Sequence, residues 1–81
     1  MTRKEIETIV NNFMIEDLEI EEDLLCPEAK LKEDIKIDSL DFVDIAVLVD
    51  ENFGFKMRVE EMKGVLTLGQ FYDYIENKMS K

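Results

Sequence analysis

The tripeptide Asp38-Ser39-Leu40 stands at the head of a long apolar run, within KIDSLDFVDIAVLVDENFGF, residues 36–55. A serine hydroxyl attacks an acyl or phosphoryl centre when a base takes its proton, and the usual base is histidine. The chain contains no His, so neither a Ser-His-Asp nor a Cys-His nucleophile can be assembled, and a His-ligated zinc is excluded with them. No catalytic residue is assigned. What remains for Ser39 is a choice between two roles: a plain residue beside the helix cap Asp38, or a hydroxyl offered at a helix start for another protein to modify. A helix N-terminus favours an attached phosphate, because its N–H groups and the positive end of its dipole point there.

The elements around this tripeptide follow from apolar spacing. Ile6, Ile9, Val10, Phe13 and Met14 recur every three or four residues, and Thr2 with Glu5 supplies a capping box, which predicts a first helix over 2–16. A loop is expected over 18–37, containing the only proline and pinned by Leu24, Leu25 and Leu31. From Leu40 to Phe53 the helical period returns with two apolar stripes. Phe42, Ile45, Ala46, Val49 and Phe53 make a core face; Leu40, Val43 and Val47 make a second, flanked by Asp41, Asp44, Asp50 and Glu51, which suits a partner. Gly54 ends that helix, MRVEEMKG from Met57 to Gly64 gives one short helical turn, and Thr67 with Gln70 caps a last helix carrying Leu68, Phe71, Tyr72, Ile75 and Met79. The expected fold is all-α: a small antiparallel bundle of three main helices and one short one, forming a single domain over 1–81 with a long loop after helix one.

Composition prunes the functions further. A hydrophobic fraction of 46% supports a core despite a net charge of −10. Twenty carboxylates against ten Lys and Arg repel nucleic acid and anionic membranes and suit a basic partner protein. The lone Cys26 allows no internal disulfide and is read as a small, partly buried hydrophobe. No signal-peptide core and no membrane-spanning run is found, so a cytoplasmic protein is expected. An EF-hand beginning at Asp34 would place Lys36 at its third position, Ser39 where glycine belongs and Ile45 where glutamate belongs; no metal site is assigned. The cluster Glu19, Glu21, Glu22 and Asp23 is read as a solvated charge run.

With these residues in view, the chain resembles an acyl carrier protein. DSLDFVDIAVLVDENFGF is similar to that family's acidic recognition helix, and TLGQFYDYI, residues 67–75, to its last helix; the likeness covers about 6–78. The resemblance implies that Ser39, between the motif residues Asp38 and Leu40, carries 4′-phosphopantetheine. A phosphopantetheinyl transferase would transfer the group from coenzyme A, and its thiol would hold acyl intermediates as thioesters. It also implies a monomer serving acyl-loading, ketosynthase-type and other acyl-processing enzymes through their basic surfaces, in fatty acid or related polyketide-like, specialised biosynthesis. An aminoacyl, peptidyl or D-alanyl carrier would use the same arm, and an acidic helical adaptor would use none. Three departures from the family pattern stand out. Lys36 and Ile37 replace a small Gly-Ala-like pair; Lys56, Arg58 and Lys63 add positive charge around the short helix; and Phe42 replaces a residue that is often small on the cargo-facing side.

Overall fold

The structure, a computed structural model, describes residues 1–79 of the 81. Three α-helices carry it: α1 (Arg3–Glu16), α2 (Ser39–Phe53) and α3 (Leu68–Met79), with short 3₁₀ helices at Glu22–Leu24 and Val59–Gly64. Helix α1 begins where the sequence places it, one residue past its cap. The Thr2 side chain accepts from the Glu5 N–H, and Glu5 accepts in return from the Thr2 N–H at 2.8 Å. Those bonds, the one from the Thr2 backbone first, hold the Glu5 carboxyl below its ordinary pKa. Gly54 ends α2 at φ +78, the left-handed conformation that only glycine takes without steric cost. Thr67 and Gln70 cap α3 reciprocally, at 3.2 and 3.3 Å.

The core draws on all three α-helices. Ile6, Val10, Phe13 and Met14 of α1 meet Leu68, Phe71, Tyr72 and Ile75 of α3, and Phe42, Ile45, Val49 and Phe53 of α2 close the same cluster. Met62 adds the 3₁₀ helix Val59–Gly64 to it, and Met57 the segment that leads into that helix. Burying one such side chain stabilises by about 1.5–3 kcal/mol, so the stripe on each helix, rather than its intrinsic propensity, fixes its place.

The segment 18–37 is more ordered than an open loop; of its three expected anchors Leu31 is buried in the core, while Leu24 and Leu25 are not. Leu24 is 39% exposed and Leu25 half-buried, whereas Ala29, Leu31, Ile35 and Ile37 are buried. The reason lies in the backbone. The Leu31 N–H donates to Leu66 O and the Leu68 N–H to Ala29 O, both at 2.9 Å, so Lys30 and Thr67 pair as an isolated antiparallel bridge. This register turns Ala29 and Leu31 inward and stitches the loop to the start of α3. Gly69 completes the seam: its N–H donates to Pro27 O at 3.0 Å, and a Cβ there would stand 3.0 Å from that oxygen. Cys26 is exposed, contrary to the partly buried expectation, because it sits at the outer turn whose carbonyl accepts the Ala29 N–H. At the departure from the small pair, Lys36 takes φ +66, a glycine-like backbone, while Ile37 is 2% exposed and replaces a small residue with core volume.

Candidate functional site

The head of α2 is built from a cap. Asp38, in extended backbone, accepts the N–H groups of Leu40 and Asp41 on Oδ1, both at 3.0 Å, and Asp41 Oδ2 accepts the Asp38 N–H at 3.1 Å. Two of the N–H groups expected to be free at this helix start are therefore taken by Asp38. The carboxylate of Asp41 is drawn into the same box, and its side chain is only partly exposed. Ser39, the first residue of the helix, is exposed, and its hydroxyl makes no hydrogen bond among the described residues.

Beyond it the two stripes of α2 separate as their spacing implies. The core stripe is buried except for half-buried Ala46. The outer stripe stands in solvent: Leu40 is 77% exposed, Val43 and Val47 54% each. Isolated exposed apolar residues are ordinary; these three, at helical spacing, make one continuous exposed apolar stripe. Asp44, Asp50 and Glu51 border it, all exposed and none in an ion pair among the described residues. The structure thus brings together Ser39, Leu40, Val43, Asp44, Val47, Asp50 and Glu51 on the outside of one helix, and assigns Asp38 and Asp41 to holding its first turn. Sequence reading missed one part of this surface. Leu18, at the exit from α1, and Leu48 line a shallow notch with Asp17, Asp44 and Val47. The spacing of four between Asp44 and Leu48 was the available signal.

Among the described residues, no group of three or more His, Cys, Asp or Glu is placed to hold a metal ion, and no helix is long and apolar enough to cross a membrane. Residues 9–75 match the family model described as "Phosphopantetheine attachment site". The chain is 35% identical to the acyl carrier protein of Thermotoga maritima over 96% of each chain. It is 32% identical to that of Coprothermobacter proteolyticus over 98% of this chain and 96% of the relative, and 31% identical to that of Thermosynechococcus vestitus over 99% of each. The chain belongs to the acyl carrier protein family. Members of this family are carriers and not catalysts, and their covalently bound prosthetic group is 4′-phosphopantetheine. Membership also brings a phosphopantetheinyl transferase and acyl-processing enzymes as interaction partners.

Proposed function

We propose that the chain, one carrier domain over 1–81, bears acyl groups on 4′-phosphopantetheine joined to Ser39, in cytoplasmic fatty acid or related polyketide-like biosynthesis. The observation that carries this reading is the exposed, unbonded Ser39 hydroxyl at the head of a helix whose outer stripe is apolar and rimmed with unpaired acids. The residues fit the group. An ester to phosphate needs a hydroxyl that a second enzyme can reach, with no hydrogen bond to break, and Ser39 meets both requirements.

When attached, the group supplies a terminal thiol that holds acyl cargo as a thioester. The residues of the chain do the rest. Asp38 fixes the first turn through Leu40 and Asp41, so the serine leaves the fold at a set position and angle. The positive end of the α2 dipole lies beneath the point where phosphate would sit. Leu40, Val43 and Val47 offer a small apolar contact, and Asp44, Asp50 and Glu51 offer charge to Lys and Arg of successive enzymes. Such exposed charges steer within a Debye length of about 8 Å at physiological salt and release readily, which suits a carrier that visits many enzymes. The acyl names of the relatives support an acyl cargo over an aminoacyl one.

Intact mass after incubation with coenzyme A and a broad-specificity phosphopantetheinyl transferase tests the reading. The native chain gains the mass of the arm; Ser39→Ala keeps its helical circular dichroism, since Asp38 retains the cap, and gains none. A mass increase in Ser39→Ala contradicts the assignment.

A further inference from the structure

We propose that the chain has a second docking surface, on the seam between the loop and the start of α3, whose occupant is an acidic segment of a partner protein inserting one apolar side chain. The seam holds a cavity of about 160 Å³. Its wall is apolar, made by buried Met62, half-buried Val65 and Leu66, which is 61% exposed. Its mouth is basic: Lys30, Lys32 and Lys63 are all exposed around it, against one carboxylate, Glu33, which pairs with Lys30 at 3.6 Å. Lys32 and Lys63 form no ion pair among the described residues.

The charge placement is what selects the occupant. In a chain with twenty carboxylates and ten basic residues, three of the ten converge on this one apolar depression. Lys32 and Lys63, gathered here without an ion partner among the described residues, repel one another, and carboxylates arriving from outside relieve that repulsion. The pocket is also preformed. Its two sides are tied by the Leu31 N–H to Leu66 O bond at 2.9 Å and the Lys30–Thr67 bridge, so little ordering is needed on binding. A net charge of −10 opposes an anionic bilayer as the occupant, whereas a short acidic segment meets three local lysines against the single Glu33. The surface shares no residue with the α2 stripe. A basic enzyme on α2 and an acidic segment here therefore bind without competing for side chains, and one partner can retain the carrier while another acts on it.

The experiment is a nuclear magnetic resonance titration of the phosphopantetheinylated full chain with three synthetic peptides: alternating Glu and Leu, alternating Glu and Ser, and alternating Lys and Leu. The Glu/Leu peptide is expected to shift the amides of Lys30, Lys63, Val65 and Leu66, and the Lys/Leu peptide those of α2. Reversing two rim charges in Lys32→Glu/Lys63→Glu should weaken Glu/Leu binding about tenfold, and Leu66→Ser about threefold, with both variants keeping the native spectrum elsewhere. Equal binding of the Glu/Ser peptide would overturn the apolar insertion. Absence of Glu/Leu binding at the seam, or binding unchanged by the lysine reversal, would overturn the site. Lysine-dependent binding to phosphatidylglycerol vesicles without peptide binding would replace the partner with a membrane, and lysine-dependent self-association on sedimentation would replace it with a second copy of the chain.

Discussion

Two faces of this small molecule treat their carboxylates in opposite ways. Where α1 meets α3, acids are engaged by the chain's own cations. Arg3 reaches Glu7 at 3.1 Å, Asp73 at 2.6 Å and Glu76 at 3.0 Å, and its guanidinium lies 5.4 Å from the centre of the Tyr72 ring. The hydrogen bond to Asp73 is the main cause that raises the Arg3 pKa further. Tyr72 donates to Asn11 across the same seam. Where the 3₁₀ helix Val59–Gly64 meets α3, Glu61 accepts from the Tyr74 hydroxyl at 3.0 Å and pairs with Lys78 at 3.2 Å, and Lys78 is the larger cause of its lowered pKa. On α2 no acid is in an ion pair among the described residues. Charge used inside the molecule closes the bundle; charge left unanswered on α2 is available to partners.

The largest effect expected comes from the inner side of the presenting helix. Phe42 is 6% exposed and packs in the same cluster as Ile45 and Val49, so Phe42→Ala should lower stability by about 3–5 kcal/mol in denaturant titrations. Phe42 also lies in the first turn of the helix that Ser39 begins. If it limits cargo, Phe42→Thr loaded with acyl chains of increasing length should be stabilised by longer chains than the native protein is. Identical length profiles would leave Phe42 a core residue only.

The α1–α3 face should weaken in alkali. Burial is the main cause that pushes the Tyr72 phenol from 10.0 up to about 12. A raised pKa means that its contribution is complete below pH 10, where the unfolded phenol is neutral. It is lost as pH rises through 12, because the unfolded chain ionises first. With Tyr72 only 3% exposed, the loss is on the order of 2 kcal/mol. Midpoints of thermal unfolding between pH 9 and 12 should fall more steeply for the native chain than for Tyr72→Phe; parallel curves would contradict this. Arg3→Met should cost about 1 kcal/mol, since the side chain is 34% exposed and its pairs are partly screened. High salt should shrink that difference.

The smallest stability change belongs to the α2 acids. Asp44→Lys with Glu51→Lys should shift unfolding by less than about 0.5 kcal/mol, because neither side chain has an ion partner to lose. The same variant should accept the phosphopantetheine arm more slowly at low salt and lose less of its rate when salt is added. Equal rates at low salt would break the contrast between the two faces. Asp41 is a poorer choice for this test, since its reversal also removes the bond to the Asp38 N–H.

Much of this was legible in the chain. Both capping boxes, the stop at Gly54 and the division of α2 into inner and outer stripes follow from spacing, because each depends on residues within one or two turns of one another. Of the long loop's anchors only Leu31 was, not Ala29, Ile35 or Ile37, and the cause is the range of the contacts. Ala29 and Leu31 are placed by backbone bonds to Leu66 and Leu68, more than thirty residues away, and no local period signals such a bridge. The backbone of Lys36 was hidden for another reason: a left-handed φ is announced in sequence by glycine, and here a lysine adopts it. The Arg3 clamp joins the two ends of the chain and leaves no trace in either.

The central claim is that Ser39 is the residue offered to the transferase, and the chain permits a direct test because Ser80 is its only other serine. The measurement is tandem mass spectrometry of the native chain after loading with coenzyme A and transferase, with the modified residue located by fragmentation. The arm is predicted on Ser39 alone, at full occupancy; its appearance on Ser80 or any threonine, with Ser39 unmodified, would contradict the account.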